Sequence, residues 1–191
     1  MARPRVHDDA LRARLLEEAS TIVATAGAAA LTVRDLASRA GTSPSAVYSL
    51  FGSRDDLVRA VGDEAFARFA VRLAAVPRTA DPGADLLGLG LAYRENALAD
   101  PHFYRVMFSA TGAGLQDGSR GPATASATFL VLRDAVARVL GDGVPAEEPA
   151  LGLWALVHGL VELELDGLLP DGGEQRYAHV LRTAGQGILG G

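Results

Sequence analysis

The chain contains no cysteine. That excludes disulfides, thiolate-held metal and a cysteine nucleophile. It also lacks an uncharged apolar run long enough to span a bilayer, and its opening MARPRVHDD has no apolar signal core. A soluble, cytoplasmic protein with no membrane partner is expected. Catalytic signatures are missing as well. There is no G-x-S-x-G elbow, no phosphate-binding P-loop and no H-E-x-x-H pair. Gly88-Leu89-Gly90 follows no strand and sits in an apolar helical pattern, so it is not read as a dinucleotide turn. Alternating strand patterns and internal repeats are absent too.

What remains is a chain of 191 residues, 49% hydrophobic and 21% charged, in the range of a globular protein with a sizeable core. The net charge of −5 alone does not suggest nucleic acid. Its distribution says more. Residues 1–60 carry 8 arginines and 7 acidic residues, whereas residues 61–191 carry 10 arginines and 16 acidic residues. Arg3, Arg5, Arg12 and Arg14 cluster at one end. An arginine-tipped end on an acidic body allows a local phosphate contact without a basic protein overall.

Helical periodicity runs nearly throughout. Leu11, Leu15, Ala19, Ile22, Val23 and Ala26 recur at steps of three and four, forming one apolar stripe. Asp8 or Asp9 suits its start and Gly27 its stop. Thr32-Val33-Arg34-Asp35 reads as a capping box for a short second helix that Gly41 ends. Ser43 and Pro44 then suit the cap and first position of a third helix ending near Phe51-Gly52. Ser53-Arg54-Asp55-Asp56 opens a long fourth helix. Further helices are expected at about 83–99, 101–109, 121–140, 146–167 and 174–189, with breaks at TGAGLQDGSRG, GDGVP and LLPDGG.

Three helices, two of them short and joined by a Gly-containing turn, are the ingredients of a helix-turn-helix. On the third, positions 46, 47, 50 and 51 face inward. Pro44, Ser45, Tyr48 and Ser49 therefore face outward, with side chains that are small or can hydrogen-bond, so that a groove edge can come close. Thr32 and Arg54 flank this helix where phosphates would run, and Arg34 and Ser43 stand at the neighbouring helix starts. The same residues also suit solvated helix ends of an all-helical bundle.

The run ALTVRDLASRAGTSPSAVYSLFGSRDDLVRAV resembles the DNA-binding segment of the tetracycline-repressor-like (TetR) family. Gly27, Leu31-Thr32-Val33, Leu36-Ala37, Ala40-Gly41, Ser43, Val47-Tyr48, Phe51, Arg54 and Leu57 carry the match, in order and spacing. The resemblance implies phosphate contacts from Tyr48, Arg54 and Thr32. Serine at 49 has less reach than the larger residues the family often places there. That shifts base contact toward Pro44 and Ser45, and toward an arm at Arg3 and Arg5 in the minor groove. It implies an all-α protein of about nine helices. Residues 1–60 would form a three-helix helix-turn-helix domain, and residues 61–191 a helical bundle for ligand binding and dimerisation.

In GLWALVHGLVELELDG, Trp154, His158 and Gly159 form W-x-x-x-H-G, which resembles one class of C-terminal domain of this family. Leu151, Val157, Leu160, Val161 and Leu165 make that helix apolar over much of its circumference. The last helix offers Tyr177, Val180, Leu181, Ala184 and Ile188. These two helices are expected to pair with their copies as a homodimer interface. His158 and Glu162 share a face, but no third ligand is placed, so neither metal nor cofactor is expected. A pocket for a small apolar or amphipathic effector is expected among the helices of the second part. Its apolar lining would come from Phe66, Phe69, Phe103, Met107, Phe108, Phe129 and Trp154, and its polar anchors from Tyr93, Asn96, His102 and His158. The expected function is a regulator, of repressor type, that binds double-stranded operator DNA as a dimer and is released by the effector. A dimeric helical adaptor without DNA, and a helical enzyme using a histidine base, are the alternative readings of the residues.

Overall fold

The computed structural model describes residues 5–108, 127–170 and 172–190; Arg3 and the break TGAGLQDGSRG lie outside them. Among the described residues there are nine α-helices and no strand. They are α1 (Arg5–Ala26), α2 (Val33–Arg39), α3 (Pro44–Phe51), α4 (Arg54–Ala74), α5 (Pro82–Ala99), α6 (Pro101–Phe108), α7 (Ala127–Leu140), α8 (Glu147–Leu165) and α9 (Gly173–Leu189).

The chain forms two compact units that divide inside α4, at Ala67/Arg68. Residues His102–Phe108, nearly all of α6, belong to the first. Sequence breaks mark where helices stop and not which core they join. Four of the eight α6 residues, Phe103, Tyr104, Val106 and Met107, are buried.

In the first unit the caps are explicit. Helix α1 begins at Arg5, earlier than Asp8 or Asp9 suggests, because Asp8 sits in the first turn and favours the dipole from there. Gly27, at φ 79°, ends it. Leu15, Leu16, Ala19, Ile22 and Val23 are buried along its stripe. Thr32 Oγ1 accepts the Asp35 amide at 3.2 Å and starts α2. The exit from α2 is a Schellman motif. Gly41, at φ 62°, donates to the Ser38 carbonyl, and Thr42 N–H to the Ala37 carbonyl. Ser43 Oγ accepts the Ala46 amide at 3.2 Å with Pro44 in the first turn, so α3 starts as its residues dictate. Ser53 Oγ accepts from the Asp56 amide at 3.0 Å and donates to its carboxylate, opening α4.

The second unit packs α5, α7, α8 and α9 around Phe129, Val136, Ala150 and Leu153. Helices α5 and α9 approach closely at Gly90. A Cβ there would stand 2.6 Å from Leu181 Cδ1, and Tyr177 Oη donates to the Gly90 carbonyl at 3.1 Å. Gly90 is thus a packing residue.

A buried polar knot ties α5 to α7 and to the chain before α5. The Asp85 carboxylate, 6% exposed, accepts from Thr79 Oγ1 (2.7 Å), the Thr79 amide (2.8 Å) and Arg138 Nη1 (2.8 Å). Arg138 Nη2 also donates to the Thr79 carbonyl at 2.8 Å. The Thr79 hydroxyl, above all, holds the Asp85 carboxyl below the usual carboxylate range; burial opposes it, and the Thr79 amide and Arg138 add to it. Because the folded value is depressed, this contribution to stability is present above the unfolded pKa of about 4 and is lost as pH falls through the folded value. Thermal unfolding of Asp85→Asn should therefore show a lower midpoint than wild type at pH 7. The difference should shrink as pH falls below about 4. An unchanged midpoint at pH 7 would show that the knot contributes nothing.

Candidate DNA-contact surface and effector cluster

Helix α3 separates its two faces clearly. Val47 is 1% exposed while Tyr48, next to it, is 50% exposed. Pro44, Ser45 and Ser49 are exposed with Tyr48, and Ala46, Leu50 and Phe51 are partly covered. Ser43 and Ser45 hydroxyls lie 2.9 Å apart, beside the cap. Thr32 and Arg34 stand exposed at the start of α2. Arg12 lays its guanidinium 5.5 Å from the Phe51 ring centre, which fastens α1 to the end of α3.

The arginines of this unit differ in commitment. Arg39 pairs with Asp35 at 2.9 Å and Arg59 with Asp56 at 2.7 Å. Arg54 turns inward. Its Nε donates to the Leu31 carbonyl at 2.8 Å, its Nη2 to the Ala28 carbonyl, and its Nη1 lies 3.1 Å from Asp55. Arg54 is expected beside a phosphate; in the structure its guanidinium bonds two carbonyls of the connection after α1. Arg5 is the first residue of α1, so it belongs to a helix and not to an extended arm.

The residues expected to line a pocket fall into both units. Phe69, Tyr93, Asn96, Phe129, Trp154 and His158 lie in the second; Phe66, His102, Phe103, Met107 and Phe108 lie in the first. In the second unit they form a chain of contacts. Phe69 meets Tyr93 edge-on at 5.3 Å between ring centres. Tyr93 Oη is 3.1 Å from His158 Nδ1. His158 lies 6.3 Å from Trp154, which meets Phe129 at 6.0 Å. Asn96, one turn beyond Tyr93 on α5, is buried, and among the described residues its Oδ1 has no hydrogen-bond partner. In the first unit, Phe103 and Met107 are buried, Phe108 packs against Tyr104 at 5.0 Å, and the buried His102 Nδ1 also has no hydrogen-bond partner among the described residues.

Sequence reasoning missed Tyr104, Arg94 and Glu164. The Arg94 fork grips Glu164 through Nε–Oε2 (2.7 Å) and Nη2–Oε1 (2.6 Å), while its guanidinium sits 5.8 Å from the Tyr177 ring centre. Helical spacing gives no sign of partners 70 residues apart.

Along α8, Val157 and Val161 are buried within the unit, as are Tyr177 and Leu181 of α9. These four belong to the unit's own core and are not free to meet a second chain. Leu160, Leu165, Val180, Ala184 and Ile188 are partly exposed. The open stripe of α8 is Leu151, Ala155, Gly159 and Leu163, each four residues from the last. Beside it, Leu160 and Val180 line a surface cavity of about 260 Å³ with Leu169, Pro170, Glu164 and Arg176.

The first unit is thus a helix-turn-helix domain, and the second a helical bundle with its own core. Residues 15–61 match the family described as bacterial regulatory proteins, tetR family, and residues 86–184 match the tetracyclin repressor-like C-terminal domain. An uncharacterized HTH-type transcriptional regulator of Mycobacterium tuberculosis, Rv0681, is 31% identical over 161 residues, covering 84% of this chain and 72% of that protein. The crystal structure of SCO4313, described as a candidate regulatory protein, is 31% identical, covers all of both chains and superposes with a TM-score of 0.70. PfmR of Thermus thermophilus, a TetR family transcriptional regulator, shares the fold at 21% identity and TM-score 0.66, over 93% of this chain and 98% of its own. The chain belongs to the TetR family. It is a transcriptional regulator with a DNA-binding and a ligand-binding domain.

Burial pushes the His158 imidazole below its ordinary value of 6.5, and the Glu162 carboxylate pulls it partly back. The folded state therefore takes up this proton less readily than the unfolded chain, so stability falls as pH drops from about 6.5 toward the folded value. A proton NMR titration should place His158 below about 6.5. A titration at or above that value would show that the Tyr93–His158 pair is not desolvated.

Proposed function

We propose that the protein binds a near-palindromic operator as a homodimer, places each α3 in a major groove, and leaves the DNA when a small amphipathic molecule occupies the second unit. The observation that carries this reading is the division of α3 into a held face at Val47 and an offered face at Pro44, Ser45, Tyr48 and Ser49. Amide donors at the α2 and α3 starts, with Thr32 and Ser43, suit phosphates on either side. Tyr48 supplies a hydroxyl and Arg34 an exposed cation. Short side chains at 45 and 49 favour close contact over long-reach base readout. Arg3 and Arg5 add phosphate attraction from the chain's end. Family membership favours this reading over a dimeric adaptor or an enzyme.

The Phe69–Tyr93–His158–Trp154 chain supplies aromatic surface with one polar pair, a combination that suits an amphipathic effector. Asn96 Oδ1, buried and unbonded, offers an acceptor to an effector donor. Trp154, His158 and Gly159 agree with the W-x-x-x-H-G class of second domain. Effector binding would favour a spacing of the two α3 helices that no longer fits successive grooves, and by linkage DNA would weaken effector binding by the same factor. Repression is the simplest output of such release. The second copy would seat on the open α8 stripe and the half-covered residues of α9.

Gel shifts on DNA upstream of the protein's own gene test the DNA reading. Affinity should fall steeply as salt rises. Tyr48→Phe should weaken it about fivefold per protomer, the worth of one hydrogen bond, and Arg34→Ala should lower the slope of log affinity against log salt by about one per protomer. A protein that shifts no DNA specifically would favour the adaptor. In sedimentation, Leu163→Glu should convert a dimer to a monomer without unfolding it; a dimer that survives this change would move the interface elsewhere.

A further inference from the structure

The structure assigns Arg54 a positioning role: its guanidinium pins the connection between α1 and α2 to the first turn of α4, and so sets where Thr32 and the start of α2 stand. This rests on the DNA-binding reading above. Three observations carry it. The side-on edge of the guanidinium, Nε and Nη2, reaches two carbonyls of one short segment, those of Leu31 and Ala28. Ala28–Ala30 is a single 3₁₀ turn held by two backbone bonds, Ala30 N–H to the Gly27 carbonyl at 3.1 Å and Leu31 N–H to the Ala28 carbonyl at 3.2 Å, and a turn this short is weak by itself. Leu31 is fully buried and adjoins Thr32, whose hydroxyl and carbonyl receive the Asp35 and Leu36 amides that begin α2. A cation planted at the N-terminus of α4 is also poorly placed for that helix's dipole. The two carbonyls and Asp55 are the counterweight. The fork geometry matters here, because lysine keeps the charge but cannot span two carbonyls as one rigid plane.

Arg54→Lys separates this role from a phosphate contact, and Arg54→Ala accompanies it. The probe is a DNA duplex that the wild-type protein selects from a random library. Affinity for it is measured across a salt series. If Arg54 positions, both variants lose affinity by about fivefold or more, one hydrogen bond's worth, and the slope of log affinity against log salt stays at the wild-type value. Hydrogen exchange without DNA should then show faster exchange of the amides of Asp35 and Leu36 in Arg54→Lys, with the α4 core around Leu57 and Val61 unchanged. If Arg54 instead grips a phosphate, Arg54→Lys keeps its affinity, Arg54→Ala lowers the slope by about one per protomer, and exchange at Asp35 and Leu36 does not change; that result overturns the proposal. Failure of the wild type to select any duplex would sink the DNA reading. The exchange measurement would still decide whether Arg54 holds α2. Should Arg54→Ala fail to fold, Arg54→Lys carries the test alone.

Discussion

An eight-residue helix cannot hold itself together in water, because nucleation uses up most of what its few hydrogen bonds return. Helix α3 exists because Val47 is buried against its neighbours, α1 and α2. That one constraint explains the rest of the first unit. Helix α1 must be long and striped to provide a floor, with Leu15, Leu16 and Ala19 fully covered. Helix α2 must end abruptly, so the chain turns at Gly41 through a Schellman motif. The α3 cap must be strong, and Ser43 with Pro44 supplies it. Once the inward face is fixed, whatever lies opposite is presented whether or not it is large or charged. The offered surface of Pro44, Ser45, Tyr48 and Ser49 is the remainder left by a packing requirement.

Much of this is legible in the sequence because caps and stripes are local signals. Thr32, Ser43 and Ser53 each cap the helix that their spacing announces, and Gly27 and Gly41 stop the helices before them. Inward and outward positions of α3 follow from helical period alone. Asp8 misleads about the start of α1 because an acidic residue stabilises a first turn as well as a cap. Periodicity cannot say which of two cores receives α6, nor that Val157 and Val161 face their own unit. A helix apolar on most sides looks the same whether its neighbours belong to one chain or two.

The least legible features are the long-range polar ties. Arg54 to Ala28 and Leu31, Asp85 to Arg138, and Arg94 to Glu164 join residues far apart in the chain. Each is a charged side chain that the fold puts to internal use. They share a physical logic. A charge withdrawn from water, nearly fully for Asp85 and in part for Arg54, is tolerated only with several well-aligned partners, and once so paired it resists substitution by a residue of equal charge and different shape. Asp85 has three donors and Arg94 a full fork. Such ties fix where helices sit more than they add net stability.

This changes how charge in the first unit should be counted. Formal charge suggests a surface with several arginines for DNA. Arg39 and Arg59 are matched by carboxylates on their own helices, Arg12 lies over the Phe51 ring, and Arg54 is turned to carbonyls. Attraction to phosphate would then rest mainly on Arg34, the terminal arginines and oriented amides at the α2 and α3 starts. Amide donors act only at short range and only when the helix is correctly placed, whereas free arginines attract any duplex from a Debye length away. A chain of net charge −5 that relies on placed amides gains little on arbitrary DNA. On the proposed dimeric reading, its binding would depend on how accurately the α3 helices of two copies meet their grooves, and a small change in their spacing would forfeit it.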